Sequence, residues 1–414
     1  MTARNLAGRF WRLWTASTIS SVGDGLEVAA LPLLAVSLSA DPRLVAGVTT
    51  AATLPWLLFA LPAGVIVDRR DRRSLMWQVN IARTVLTAAI ALLVAMHLMR
   101  MPVLYVLVFL LGIGQTVFDN AAQAMLPDLV STDELQRANS LTQVGQTIGQ
   151  TFVGPPLGGL MFAAIAASPF AADAATYLIA LVLIVFITGR FAPGDTAAPA
   201  TTAARRSIRA DIAEGLGWLF RHPLLRSMAL VLGMANLALY MTEGILVLFA
   251  IKDLSISRQD YGFLLTGIAI GAVLGGILGI RLAGIFGPAR SISLCLAIIA
   301  VCYLIVGMLS QALAVAVVIS FAGFVSSVWN IVTISLRQAL IPRPIMGRVN
   351  SAYRLIGMGS MPIGAFLGGL LAGAFGLRFP FYAAAALLFV SLAVAMARIT
   401  EHGIAAATPA PSAS

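Results

Sequence analysis

The sequence predicts an all-α membrane protein with twelve transmembrane helices in two six-helix bundles. Three observations predict it. Of 414 residues, 59% are hydrophobic and only 11% charged, with a mean hydropathy of +0.94, whereas a soluble globule carries about 25% charged residues. Apolar runs long enough to cross a bilayer, about 20 residues each, recur along the whole chain. The second half also echoes the first. Gly64 and Gly279 each close a second span, Pro127 and Pro342 each follow a fourth, and both pairs lie 215 residues apart.

The spans are expected at 12–37, 44–67, 75–97, 102–125, 137–163, 169–189, 224–250, 260–284, 290–309, 312–336, 346–374 and 378–398. Arg4, Arg9 and Arg12 ahead of the first span imitate a secretory leader. The apolar stretch nevertheless continues to about Val36 without a small-residue cleavage site, so it reads as an uncleaved span. Between the second and third spans, Gly64 to Arg73 crowds Asp68, Arg69, Arg70, Asp71, Arg72 and Arg73 into one short loop. There Gly64 is expected to admit a neighbouring helix, Asp68 to cap or pair, and the arginines to stay at the headgroups. The fifth span contains Gly154-Pro155-Pro156-Leu157-Gly158-Gly159, where two prolines bend the helix and the glycines allow close packing. The motif Arg137-Ala-Asn139-Ser140 and the pair Gly158-Gly159 return as Arg348-Val-Asn350-Ser351 and Gly368-Gly369. Along the eighth span, Gly267, Gly271, Gly275 and Gly279 make a close-packing face, and Cys295 and Cys302 in the ninth read as small packing residues.

Of the 27 Lys and Arg residues, 20 fall on the side of the two termini, 5 on the other, and Arg83 and Arg354 within spans. That asymmetry places both termini in the cytoplasm of a cell-membrane protein. The net charge of +10 therefore reads as topology and lipid-headgroup contact, with no nucleic-acid partner expected. The expected domains are a first bundle, 1–189, a second, 224–402, and a disordered tail, 403–414. Between the bundles, 190–223 combines an Ala, Thr, Pro and Gly linker with a helix amphipathic from Ser207 to Arg226, expected on the inner membrane surface.

Charges inside the spans carry the functional expectation. At about 2.5–3.5 kcal/mol each, Asp24, Glu27 and Glu243 would together cost roughly 8–10 kcal/mol, comparable with the whole stability of a domain. They must face water or a partner. Ser17, Ser20, Asp24 and Glu27 form one stripe of the first span, and Asn236, Tyr240 and Glu243 one of the seventh. The expected coupling or substrate groups are Asp24, Glu27, Arg83, Asn236, Tyr240, Glu243 and Arg354, with structural pairing of the acids to Arg83 or Arg354 as the alternative. Gln115, Gln143, Gln146, Gln150, Trp329 and Asn330 are cavity-lining candidates. Asp119 reads as a gate or pairing residue and Asp173 as a structural cap.

The loop and the fifth span together resemble the major facilitator superfamily over nearly the whole chain. Gly64, Asp68 and the basic residues after it are similar to the signature between that family's second and third helices, although Asp71 stands where glycine is usual. The second copy, Gly279 to Arg290, has Ala283 in place of the aspartate. Gly154 to Gly159 resembles the GPxxGG motif of its drug-exporting antiporters. The run Phe118-Asp119-Asn120-Ala121 to Leu126-Pro127, with His222-Pro223-Leu224-Leu225-Arg226, resembles the macrolide-efflux and enterobactin-exporter-like branch. The resemblance implies export of a lipophilic or amphiphilic small molecule by alternating access and H+ antiport. It also implies that Gly64, Asp68, Arg69, Arg72 and Arg73, with Asp119, Gly154, Pro155, Gly158 and Gly159, serve gating and packing. Many such antiporters carry an arginine four residues before a glycine in the fourth helix, where this chain has Val108 before Gly112.

No GxxxxGK[ST], HExxH, paired CxxC or GxSxG occurs, so an enzyme, a cofactor and a metal are not expected. The expected partners are a small-molecule substrate, the bilayer and H+, with the chain a monomer. A lysophospholipid flippase, an importer of the same fold, or a non-transporting sensor or scaffold are the rival readings.

Overall fold

In a computed structural model the described residues, 8–67, 69–188, 191, 208–341 and 345–407, are helical with short connections and no strand among them. The helices are α1 (Gly8–Leu38), α2 (Pro42–Val67), α3 (Arg72–Ala95), α4 (Met101–Met125), α5 (Leu135–Thr147), α6 (Gly154–Ala164), α7 (Ser168–Val185), α8 (Ile208–Arg221), α9 (Pro223–Leu248), α10 (Arg258–Phe286), α11 (Pro288–Met308), α12 (Ala312–Leu340), α13 (Met346–Phe375), α14 (Phe379–Arg398) and α15 (Glu401–Ala407). Ten described helices are long and apolar enough to cross a membrane. Together with α2 and the α5–α6 segment they match the twelve expected spans to within a few residues.

The chain divides into two compact units. The first comprises Met1–Ala40, Ala51–Thr202 and Ile256–Thr266; the second comprises Asp41–Thr50, Ala203–Ser255 and Gly267–Ser414. In the first unit Phe10, Met76, Met125, Ile184 and Ile187 are fully buried in one apolar cluster. In the second, Leu219 of α8 joins Leu225, Ala300, Val349 and Ala384. Glu214 of α8 pairs with Arg348 at 2.6 Å, so the amphipathic helix is docked onto α13. Within this unit the glycine face of α10 is used, since a Cβ at Gly271 or Gly275 would strike the backbone of Ser320 or Phe324. Cys295 and Cys302 are buried free thiols.

Two local differences from the sequence expectation have physical causes. The fifth span is not one α-helix, because Ile148–Val153 forms a π turn between α5 and α6. Pro155 and Pro156 lack the N–H groups that would bond back to the 151 and 152 carbonyls, so the helix widens there. The Gly154 N–H bonds instead to Gly149 O, five residues back. After Gly403, helix α15 continues to Ala407, and its Glu401 carboxylate accepts the Ala289 N–H at 3.0 Å at the start of α11. The remainder of the tail, 408–414, lies outside the described residues, as do the linker at 192–206 and Pro342.

Candidate functional site

In the first unit α1, α3, α4 and α7 each bring a polar side chain to their midpoints, and Arg83 of α3 is the hub. Its Nη2 donates to Asp24 Oδ1 of α1 at 2.5 Å, to Tyr177 Oη of α7 at 2.6 Å and to Gln115 Oε1 of α4. Tyr177 Oη in turn donates to Asp24 Oδ1 at 2.7 Å, and the guanidinium carbon lies 4.0 Å from the Tyr177 ring centroid. The Arg83 side chain is 3% exposed and that of Asp24 12%. Opposite charge, the hydrogen bonds on Nη2 and the ring face make such a pair tolerable in an apolar interior, while Nε and Nη1 of Arg83 are buried with no hydrogen-bond partner.

Further polar groups sit one turn to either side of this hub. Gln115 Nε2 donates to Asp119 Oδ2 at 3.0 Å, one turn along α4. In the other direction Glu27 follows Asp24 on α1, Thr87 follows Arg83 on α3, and Asp173 precedes Tyr177 on α7. The Thr87 hydroxyl lies 3.5 Å from Glu27 Oε1, and the Glu27 and Asp173 carboxyls are in contact. At about 5.4 Å per helical turn, these rungs form a polar ladder through the unit, with four carboxyls and one cation.

The sequence expectation of Asp173 as a cap is corrected. The first turn of α7 has no acidic residue, and Asp173 is 0% exposed beneath Gly23 of α1, where a Cβ would collide with its carboxyl and with the Thr176 hydroxyl. Asp173 and Tyr177 are the members that sequence reading missed. Asp119, read as a gate or pairing residue, is tied through Gln115 to the hub.

The glycine and proline motif holds α1 beside these acids. A Cβ on Gly25 would lie 2.7 Å from Gly149 O, 2.8 Å from Gly154 Cα and 2.9 Å from Gln150 Cα, and one on Gly158 would strike the Leu26 backbone. Gly25 and Leu26 sit between Asp24 and Glu27, so the π turn and α6 fix the backbone from which both acids project. Gly159 faces the other way, 3.2 Å from Gln259 O and Gly262 N at the start of α10, which belongs to the same unit. Pro155 contacts Gly262.

The second unit repeats the packing without the charges. A Cβ on Gly368 would strike the Met241 backbone as one on Gly158 would strike that of Leu26. The repeat therefore equates Glu27 with Thr242, and Glu243 falls one residue further on, turned by about 100°. Glu243 is exposed, and it makes no salt bridge among the described residues. Asn236 Nδ2 bonds to Gly357 O at 3.0 Å. Since α9 and α13 run parallel, with Gly368 against Met241 and Tyr353 bonded to Met228 O, Arg354 lies about 20 Å below Glu243 along the bundle, so the expected alternative pairing of those two does not form. Tyr240 is half-buried beside Glu243. Among the cavity candidates, Gln143, Gln150 and Asn330 are exposed, Gln146 is half-buried, and Trp329 is buried with its Nε1 unpartnered.

The charged loop is bound within its own unit. Arg72 Nη1 pairs with Asp128 at 2.6 Å and with Ala124 O at 2.9 Å, and Arg73 reaches Ile184 O and Val185 O at the end of α7. Asp68 lies outside the described residues, and Arg69 is exposed. Among the described residues nothing lies within 4 Å of a Cβ built on Gly64. Asp71, where the signature has glycine, caps α3 through Ser74 N at 2.7 Å and also accepts Phe191 N at 2.9 Å. Burial pushes its carboxyl up, but the Ser74 and Phe191 amides and Arg73 outweigh this and hold it below its ordinary 3.8. A depressed acid stabilises fully above 3.8 and loses that contribution as pH falls below it. Asp71→Ala should accordingly cost about 1 kcal/mol at neutral pH and flatten the acid limb of a thermal-unfolding profile. Asp71→Asn, still a cap, should flatten the limb with little loss at neutral pH.

The family described as transmembrane secretion effector matches residues 5–412. The multidrug efflux pump Tap of Mycolicibacterium fortuitum is 27% identical over 404 residues, 94% of this chain and 96% of the relative. The enterobactin exporter EntS of Shigella boydii is 25% identical over 370 residues, 87% and 85% of the two chains. Among solved structures, a bacterial homologue of the human lysosomal transporter Spinster superposes with a TM-score of 0.76 at 15% identity over 98% of both chains. A bacterial homologue of the iron transporter ferroportin gives 0.76 at 14% identity, over 96% of this chain and 100% of that one. A twelve-helix membrane architecture, the two-unit repeat and a family match across almost every residue converge: the chain belongs to the transmembrane secretion effector family of major facilitator transporters.

Proposed function

We propose that this chain exports a lipophilic or amphiphilic small molecule, such as a drug, an antibiotic or a siderophore-like compound, from the cytoplasm in exchange for protons. Two six-helix bundles, 1–189 and 224–402, joined through 190–223, alternate access, with both termini cytoplasmic and the chain acting as a monomer. The observation that carries this reading is the buried ladder around Arg83, in which a single cation faces Asp24, Glu27, Asp119 and Asp173. Four carboxylates and one guanidinium in a membrane interior cannot all stay ionised at tolerable cost, so the site is built to gain and lose protons. The names of Tap and EntS, a multidrug pump and a siderophore exporter, support the direction and the substrate class.

Everted membrane vesicles presented with a panel of lipophilic toxic compounds test it. Uptake of at least one compound should accelerate when the lumen is acidified and fall to the vector control when the gradient is collapsed. Gradient-independent movement, or movement in the opposite sense, would establish the flippase or importer reading instead.

A further inference from the structure

We propose that Glu27 and Asp173 share one proton and form, with Thr87 and Thr176, the proton-carrying site of this transporter, separate from the Asp24–Arg83 ion pair. This rests on the proton-coupled reading above and assigns a residue to it that no sequence motif marks.

The geometry is specific. Asp173 is fully buried, and Gly23 of α1 leaves the space that its carboxyl occupies. One carboxylate oxygen, Oδ1, accepts the Thr176 hydroxyl at 3.1 Å, whereas Oδ2 is buried with no donor from any side chain or backbone amide. The group in contact with Asp173 is the carboxyl of Glu27, which has no N–H to offer. Two carboxylates in contact satisfy each other only when one carries a proton, and a proton on Glu27 donated to Asp173 supplies the missing partner.

The surrounding charges do not replace that proton. Arg83 of α3 directs Nη2 to Asp24, Gln115 and Tyr177, one turn away. Asp24 of α1 adds negative charge, Asp119 of α4 lies beyond Gln115, and Tyr177 of α7 has its hydroxyl hydrogen on Asp24. Asp24 thus has a hydrogen-bonded cation as partner, whereas Glu27 and Asp173 feel the Arg83 charge from one turn away and accept no hydrogen bond from it; their direct neighbours are each other and two threonine hydroxyls. Glu27 is partly buried, whereas Asp173 is sealed, so Glu27 is the member through which the proton enters and leaves.

The test needs no substrate, so it separates this inference from the export reading. Infrared spectra of the purified full-length protein, recorded across a pH titration and differenced against the Glu27→Gln/Asp173→Asn double variant, should show the carbonyl band of one protonated carboxylic acid at neutral pH that the double variant lacks. That band should be lost in Glu27→Gln, lost in Asp173→Asn, lost to the same extent in the double variant, and kept in Asp24→Asn. Survival of that band in either single substitution, or a double variant that loses twice the amplitude, would overturn a shared proton. Should a variant fail to fold, wild-type protein treated at neutral pH with a hydrophobic carbodiimide, which modifies protonated carboxyls, should carry the adduct on Glu27. An adduct confined to Asp24 or Asp119 would overturn the assignment.

Discussion

Arg83→Met should abolish export and lower stability by about 3–5 kcal/mol, the expected consequence of removing one partner from a buried ion pair. Asp24 would then remain a carboxylate with only the Tyr177 hydroxyl beside it, and Gln115 would lose its donor. The guanidinium lies between the Tyr177 and Phe118 rings, 4.0 Å and 5.9 Å from their centroids, so packing is lost with the charge. Arg83→Lys should recover part of the stability and little of the transport, because an ammonium lacks the guanidinium plane that stacks on the Tyr177 ring while reaching Asp24 and Gln115. Pairing Arg83→Met with Asp24→Leu removes both charges. That double variant should regain most of the lost stability and still not transport. Thermal unfolding and efflux measured on the same variants separate the two effects. A stable, inactive double variant supports a hub that serves transport; an active one would show the pair to be structural only.

Gly25→Val should be as damaging through sterics alone. Three backbone atoms of the π turn and α6 lie within 2.9 Å of the first added carbon, and backbone cannot swing aside as a side-chain tip can. Overpacking of this kind costs about 1–3 kcal/mol, and more where the neighbours are rigid. The same displacement moves Asp24 and Glu27, which flank Gly25 on α1, so transport should fall further than stability. Gly64→Ala is the control, since among the described residues nothing lies within 4 Å of its Cβ. Unfolding temperature and efflux should be near wild type for Gly64→Ala and both depressed for Gly25→Val. Equal tolerance of the two would contradict the close passage of α1 across the π turn.

The fold was legible because bilayer thickness imposes a length on every span and few charges interrupt the runs. Asp24, Glu27 and Arg83 stood out for the same reason, as ionised groups in apolar sequence. What a linear pattern does not contain is who meets whom. Asp173 sits five residues into its helix, close enough to an end to read as a cap, and only the notch at Gly23 reveals that it points inward. Tyr177 carries no charge and resembles any packing aromatic. The 216-residue separation of Glu27 and Glu243 suggested equivalent positions, but contacts made by Gly158 and Gly368 set the repeat at 215, and one residue is enough to turn a helical side chain by about 100°. The arginines of the charged loop were legible as a membrane-surface cluster, while the commitment of Arg72 to Asp128 and of Arg73 to the end of α7 depends on where two other helices stop.

The proposed role of the acids set around one arginine inside the first unit is to exchange protons for an exported compound. Proteoliposomes containing the purified protein, a luminal pH dye and an imposed proton gradient test that most directly. Addition of a transported compound should release protons from the acidic side with wild type, and this substrate-triggered flux should be absent with Glu27→Gln and with Asp173→Asn. Compound transport that proceeds at wild-type rate with no proton movement, or with proton movement unchanged in both variants, would contradict the account.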